Sequence, residues 1–176
     1  MTASPPEELV VLLDEARRPI GTAPKAGVHT ADTPLHLAFS SYAFDPGGTK
    51  VLVTRRALGK KTWPGVWTNT CCGHPGPGED LAEAMVRRLS QELRVVPRDV
   101  ELVLPDFAYT ATMADGTMEN EFCPVFRVVV DGDPDPDPAE VEDWKWVDWS
   151  SYRAAAEHAP WLISPWSALQ VAELVR

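Results

Sequence analysis

The chain has 176 residues, of which 44% are hydrophobic and 24% charged, and a formal net charge of −10. These values are typical of a soluble globular chain that forms one domain, which we take as residues 1–176. The acidity disfavours nucleic acid or an anionic membrane as a partner. Residues 131–143 hold seven acidic and no basic residues, however, so the rest of the chain carries a net of only −3. We therefore expect this segment to be a solvated loop that takes no part in chemistry.

A membrane span and a disulfide framework are both disfavoured. The purely apolar runs are only a few residues long, and no basic residue precedes the first of them, Leu9–Leu13, as a signal peptide would require. Three cysteines, Cys71, Cys72 and Cys123, form an odd set with two adjacent members. We expect a cytoplasmic protein in a reducing compartment.

Strands are predicted over Leu9–Leu13, 36–44 and 51–55, with turn signals over 14–21 and 45–48. Residues 59–78 are rich in Gly, Pro and Trp and predict a long ordered loop. Apolar residues then recur at intervals of four, which predicts a helix from near Glu79 that Pro97 stops.

Further strands are predicted over 102–104, 107–112, 119–130 and 144–149. We expect Ser150 to cap a helix over 151–158, and Ser164 with Pro165 to begin the last helix. This order of elements indicates an α+β fold with a mixed or antiparallel sheet.

A thiol and an imidazole lie two residues apart at Cys72 and His74, in a loop shaped by Gly and Pro. This pair fits a metal site, a nucleophile or an acid–base pair, or simply a buried cysteine beside a hydrogen-bonding histidine. The sequence has no Cys-x-x-Cys motif, which disfavours a structural zinc finger.

Two carboxylates, Glu119 and Glu121, alternate along a predicted strand and so point to one face. Close carboxylates are solvated, share a proton or bind a cation. With His29, His36 and His74 they would form a five-ligand N/O site suited to Mn²⁺, Zn²⁺ or Mg²⁺, although each histidine alone is more often structural.

The predicted helix places Arg88 and Glu92 beside its apolar stripe, whereas Arg87 faces solvent. This pair is either a surface ion pair or part of a site that handles phosphate and metal. The basic residues also cluster near these loops, which indicates a small anionic ligand such as a diphosphate. The cluster comprises Lys25, Arg55, Arg56, Lys60, Lys61, Arg87 and Arg88.

Six motifs occur in the chain: HTADT at 29–33, TRRAL at 54–58, KKTWPGVWTN at 60–69, CGHP at 72–75, ENE with CPVF at 119–126, and SPW at 164–166. In their order and spacing they strongly resemble the type 1 isopentenyl-diphosphate Δ-isomerase family, and the resemblance extends from about Leu9 to the last helix.

The resemblance implies a Nudix-like α/β/α sandwich with a mixed sheet. The outline of a Nudix box remains over 73–87, but Arg88, Gln91 and Arg94 replace the Glu, Glu and Gly of a hydrolase, which leaves only Glu92 of the acidic group. Hydrolysis needs those carboxylates to hold metals around an attacking water, so these residues disfavour it.

The resemblance also implies that isopentenyl diphosphate and dimethylallyl diphosphate interconvert, for isoprenoid biosynthesis, through a tertiary carbocation. Cys72 and Glu121 would be the opposed acid–base pair, and Tyr109 would orient Glu121 or deliver a proton. The ring of Trp161 would stabilise the cation.

The same resemblance implies the ligand sets. A tightly held Mn²⁺, Zn²⁺ or Mg²⁺ would bind His29, His36, His74, Glu119 and Glu121. A second Mg²⁺, bridging the diphosphate, would bind Glu92 and the backbone carbonyl of Cys72. The diphosphate itself would bind Lys25, Arg56, Lys60 and Arg88. We expect a monomer or weak homodimer.

Three departures or alternatives remain. Arg94 stands where the family commonly has Gly, so the sequence does not decide how this helix is capped at its end. Divergent loops at 112–118 and 131–143 leave room for an altered lid or pocket wall. A related enzyme could cyclise a longer prenyl diphosphate or hydrolyse a diphosphate, and a silent Nudix-like domain could only bind one.

Overall fold

Two β-sheets and four α-helices form the part of the chain that the structure, a computed structural model, describes: residues 8–175. Residues 1–7 and Arg176, the ends of the predicted domain, lie outside it. The strands are β1 (Leu9–Leu13), β2 (Pro19–Pro24), β3 (His36–Leu37), β4 (Phe39–Phe44), β5 (Lys50–Arg56), β6 (Trp67–Thr68), β7 (Cys71–Gly73), β8 (Arg98–Leu104), β9 (Ala108–Thr112), β10 (Met118–Phe122), β11 (Val125–Val129) and β12 (Val141–Asp148). The helices are α1 (Lys25–Val28), α2 (Leu81–Leu93), α3 (Trp149–His158) and α4 (Pro165–Leu174), and a 3-10 turn spans Pro160–Leu162.

Both sheets are mixed. The first has the order β2-β1-β3-β10-β9, with β3 parallel to β10. The second has the order β12-β5-β4-β11-β8, with β4 parallel to β11, and the short strands β6 and β7 pair with β5 and β4. Mixed sheets with few helices confirm the predicted α+β class.

The predicted strands over 36–44 and 119–130 are each divided between the two sheets. The first changes sheet at Ala38, and the second changes at Cys123 and Pro124. The two changes lie side by side, because Ala38 N donates to Phe122 O at 2.8 Å and Ser40 N donates to Pro124 O at 3.0 Å. Pro124 has no N–H of its own with which to continue a ladder.

Other boundaries also differ from those expected. Strand β2 begins at Pro19, within the predicted turn over 14–21, and pairs with β1 as a hairpin. The predicted loop over 59–78 contains β6 and β7, since Thr68 pairs with Thr54 and Cys72 with Ser40.

Helix α2 begins and ends at identifiable caps. The Asp80 side chain accepts hydrogen bonds from the N–H groups of Ala82 and Glu83. The helix ends at Leu93 because Arg94 adopts the left-handed conformation, with φ of 53°, several residues before Pro97. Its apolar side packs on one face of the second sheet, in a core cluster that includes Met85, Leu89 and Leu93.

The other two long helices cover the opposite face of that sheet. Ser164 caps α4 as predicted, and its side chain accepts from Ser167 N. Ser150 does not cap α3, because the helix already begins at Trp149 and Asp148 holds the N-cap position. Trp166 and Val171 of α4 join Tyr42 and Tyr109 in the second core cluster. No helix within residues 8–175 is both long and apolar enough to cross a membrane.

Candidate active site

A cavity of about 540 Å³ is lined by residues from both sheets and from α2. Sheet strands contribute Arg56, Cys72 and Glu121, and α2 contributes Arg88 and Glu92. The structure thus brings residues from distant motifs to one cavity.

Three imidazoles converge on one carboxylate oxygen of this cavity. Glu121 Oε1 lies 3.0 Å from His74 Nε2, 3.4 Å from His36 Nε2 and 3.9 Å from His29 Nε2. One ligand atom from each of these four residues lies within 4.8 Å of the others. The three predicted histidines and Glu121 therefore lie together, and their role as metal ligands stays a prediction.

The donor atoms of this cluster suit a divalent metal ion. His36 Nδ1 lies 2.9 Å from Pro34 O, which turns Nε2 towards Glu121. Within the described part of the chain, the buried Nε2 atoms of His29 and His36 have no hydrogen-bond partner. Burial lowers the pKa of His74 to about 4, so its imidazole is neutral at pH 7. Neutral imidazoles with a carboxylate are ligands for Zn²⁺ or Mn²⁺.

The second predicted carboxylate joins this cluster through a tyrosine. The Tyr109 hydroxyl lies 2.6 Å from Glu119 Oε2 and 2.9 Å from Glu121 Oε2. Burial and the nearby Glu121 raise the pKa of Glu119. Burial also opposes ionisation of Glu121, but the three imidazoles outweigh it and hold its pKa well below the usual range. Glu119 is not among the four converging residues, so its role as a fifth ligand stays a prediction.

The thiol of Cys72 lies at the wall of the same cavity. Its sulfur is 3.3 Å from Asn69 Oδ1 and 3.2 Å from Ser40 Oγ. Burial raises the pKa of this thiol to about 12, so it is protonated at neutral pH. Cys72 is therefore equipped to give a proton, whereas the ionised Glu121 is equipped to accept one.

All four predicted diphosphate-binding cations line the cavity. Lys25 Nζ lies 2.6 Å from Glu8 Oε2, and Lys60 pairs with Glu140. Arg88 Nε donates to Glu92 Oε1 at 2.9 Å, and both side chains are buried. Arg56 Nε donates to the backbone carbonyl of Thr62 at 3.0 Å, which fixes its guanidinium in place.

Close packing places α2 against β7. A Cβ atom at Gly73 would lie 2.7 Å from the Phe39 ring and 3.0 Å from the Arg88 side chain, so a larger residue does not fit. The side chains of Arg88 and Glu92 consequently point from α2 into the cavity and not into solvent. Arg87, expected to face solvent, is partly exposed and pairs with Glu79 at 2.7 Å.

The structure corrects the prediction for Trp161. Its ring is 78% exposed on the 3-10 turn and does not line the cavity. The tryptophan that does so is Trp166, which is 2% exposed and lies on the first turn of α4. Its Nε1 donates to Asn69 Oδ1 at 2.9 Å, which fixes the ring against the cavity wall.

The structure also corrects the assignment of the whole acidic segment as a loop without a role. Glu140 lines the cavity and contacts both Lys60 and Arg88. Nothing in a run of seven acidic residues distinguishes this one from its solvated neighbours. The sequence also does not predict Asn69 as a site residue, although Asn69 lies within the motif at 60–69.

The two-sheet fold and the charged face of α2 define the class of protein. The sequence model of the NUDIX domain family matches residues 34–166. The crystal structure of DR0079 from Deinococcus radiodurans superposes with a TM-score of 0.74 at 16% identity, covering 96% of this chain and all of that one. The MutT protein of Methanosarcina mazei has a TM-score of 0.62 at 18% identity, covering 81% of this chain and 94% of its own. These likenesses concern the fold.

Closer relatives define the family within that class. The isopentenyl-diphosphate Delta-isomerase of Frankia alni is 65% identical over 170 residues, which is 97% of this chain and 87% of the relative. The enzyme of that name from Mycolicibacterium vanbaalenii is 60% identical over 166 residues, 93% of this chain and 90% of its own. The chain belongs to the isopentenyl-diphosphate Delta-isomerase family of NUDIX-domain proteins.

Proposed function

We propose that this protein interconverts isopentenyl diphosphate and dimethylallyl diphosphate, the activity for which its relatives are named, by metal-dependent addition and removal of protons. The observation that carries this proposal is that the Cys72 thiol and the Glu121 carboxylate line one cavity, in surroundings that raise the pKa of the thiol and lower the pKa of the carboxyl group. Moving a double bond requires one group that gives a proton and another that takes a different proton.

The diphosphate binds at the cationic end of the cavity. Lys25, Arg56, Lys60 and Arg88 supply ammonium and guanidinium groups, which suit phosphate oxygens. In this structure three of these cations contact Glu8, Glu92 or Glu140. Substrate oxygens would replace part of those contacts. Glu92 and the backbone carbonyl of Cys72 would hold the Mg²⁺ that arrives with the diphosphate.

The tightly held metal ion would bind His29, His36, His74 and Glu121, with Glu119 beside them. When bound, this ion supplies positive charge that tunes the acidity of the Glu121 carboxyl group. Tyr109 keeps the two carboxylates in place, because its hydroxyl lies within hydrogen-bonding distance of both.

The Cys72 thiol and the Glu121 carboxylate carry out the proton transfer. Starting from a protonated thiol and an ionised carboxylate, Cys72 gives its proton to the alkene and Glu121 takes another from the carbon next to the double bond. The ring of Trp166, rather than Trp161, lines the cavity where a carbocation would form, and its π-face stabilises a cation by about 2 kcal/mol when desolvated.

The residues of this site favour hydrolysis less than isomerisation. The positions at which a hydrolase carries further carboxylates hold Arg88, Gln91 and Arg94, and the first of these is buried in an ion pair with Glu92. We further propose that the protein acts in the cytoplasm as a monomer or weak homodimer on this small substrate.

Incubation of the purified protein with isopentenyl diphosphate and Mg²⁺ in deuterated buffer, followed by NMR, tests the proposal. We expect dimethylallyl diphosphate with deuterium at the protonated carbon. Cys72→Ala and Glu121→Gln should each abolish turnover, whereas Cys71→Ala, which removes the adjacent buried thiol, should retain it. An inactive wild-type protein would refute the proposal, as would released phosphate or a cyclic product from a longer prenyl diphosphate.

A further inference from the structure

Behind the Cys72 sulfur lies a buried polar network that the proposed chemistry does not yet use. Ser40 Oγ is 3.2 Å from Cys72 Sγ, and Gln170 Nε2 donates to Ser40 Oγ at 2.9 Å. Ser40 and Gln170 are fully buried and do not line the cavity. Ser40 therefore contacts the sulfur from a side that does not face the cavity, and Gln170 hydrogen-bonds to Ser40 and not to the sulfur.

The orientation of Gln170 is set by its other neighbour. The Tyr42 hydroxyl donates to Gln170 Oε1 at 2.9 Å, so Nε2 faces Ser40. Tyr42 in turn lies 2.9 Å from Ser167 Oγ, which is 2.7 Å from the hydroxyl of Tyr152. Buried polar groups of this kind are retained in hydrogen-bonded networks because each unpaired member would be costly.

The hydroxyl of Ser40 can serve either of two sulfurs. Its oxygen accepts from Gln170, and Cys72 Sγ and Cys123 Sγ lie 3.2 and 3.4 Å away. Once Cys72 has given up its proton, its sulfur can only accept, so the Ser40 hydroxyl is then the donor in that contact. On the other side of the sulfur, Asn69 Oδ1 accepts the thiol proton, since Asn69 Nδ2 is held by the carbonyls of Ser41 and Cys71 at 3.0 and 3.1 Å.

We propose that Ser40 and Gln170 are positioning residues for the proton transfer by Cys72. When the thiol gives its proton to a substrate carbon, the S–H bond breaks, a C–H bond forms and the electron pair stays on sulfur. The Ser40 hydroxyl donates to that charged sulfur and holds it at the cavity wall, and Gln170 acts through Ser40. This inference rests on the proposed function.

Ser41 supplies a matched control on the same strand. It is the next residue of β4, is equally buried, and points to the opposite face, where its hydroxyl donates to Cys71 O at 3.1 Å. Ser40→Ala and Ser41→Ala thus each remove one buried hydroxyl. Only the first removes a contact with the Cys72 sulfur.

The test measures kcat and KM with Mg²⁺ for both variants. A hydrogen bond to a charged group corresponds to a rate factor of about 10 to 100, so Ser40→Ala should lower kcat by that factor and leave KM within about twofold. Ser41→Ala should keep the wild-type kcat. Gln170→Met should also lower kcat, and the double variant Ser40→Ala/Gln170→Met should be no slower than Ser40→Ala alone. Equal losses in the two serine variants, or multiplicative losses in the double variant, would overturn the inference.

A spectroscopic measurement separates this inference from the activity itself. The S–H stretching band that disappears in Cys72→Ala should shift in Ser40→Ala and stay in place in Ser41→Ala. An unmoved band would refute the positioning role even in active protein. Inactive wild-type protein with the expected shift would refute the proposed function and leave the contact between Ser40 and Cys72 established.

Discussion

His74 Nε2 lies 3.0 Å from Glu121 Oε1 and is the closest of three imidazole nitrogens to that oxygen. In the function we propose, Glu121 is therefore both a metal ligand and the catalytic base. Any change in the histidines therefore acts on the reacting carboxylate as well as on metal binding.

Replacing one of the converging histidines should remove the bound metal. We expect His36→Gln to lower the metal content measured by elemental analysis of the purified protein to well below one equivalent. His158→Gln should not, because this histidine is exposed at the end of α3. Equal metal content in both variants would contradict the assignment of the cluster.

Removing the metal should also destabilise the fold. A ligand present at 100 to 1,000 times its Kd stabilises the native state by about 3 to 4 kcal/mol. Dialysis against a chelator should therefore lower the melting temperature, and added Mn²⁺ or Zn²⁺ should restore it. The His36→Gln variant should show neither the loss nor the recovery.

The two tryptophans of the Pro-Trp pairs should behave differently. Trp166→Leu removes the ring that lines the cavity and should lower kcat by about 30-fold, the equivalent of about 2 kcal/mol of cation–π stabilisation. Trp161→Leu alters an exposed ring and should leave kcat within about twofold. A larger loss in Trp161→Leu than in Trp166→Leu would restore the assignment based on sequence.

Alkaline pH should destabilise the protein through Cys72. Its pKa is raised from an ordinary value near 9 to about 12 in the folded protein, so between pH 8 and 10 only the unfolded chain releases this proton. Stability therefore falls as pH rises through this range. Urea unfolding under reducing conditions should show that the wild type loses about 1 kcal/mol more than Cys72→Ala between these two values. Equal losses would contradict the raised pKa.

The end of α2 offers a stability gain. Arg94 has a φ of 53°, a conformation that favours glycine, and its exposed side chain contacts only Asp135, through an ion pair and a hydrogen bond to the backbone carbonyl. Arg94→Gly should raise the free energy of unfolding by about 1 kcal/mol. Arg94→Ala controls for the lost ion pair, because it keeps the Cβ atom, and it should not be stabilising.

Cavity residues such as Arg56, Cys72 and His74 were predictable because short contiguous motifs contain them, and strand alternation alone places Glu119 and Glu121 on one face. The sequence does not decide between Trp161 and Trp166, because both follow a proline and only the phase of the turn determines which ring faces inward. The change of sheet at Ala38 was equally hidden, because apolar residues continue across it.

That paired change of sheet has a consequence for how the enzyme family can vary. Strand β3 carries His36 and runs alongside β10, which carries Glu121, whereas β4 carries Ser40 and pairs with β7, which carries Cys72. The distance from the metal cluster to the thiol is thus spanned by hydrogen-bonded strands rather than by loops. Insertions in the segments 113–117 and 131–139 should be tolerated, whereas one added residue next to Ala38 or Pro124 would move the acid away from the base.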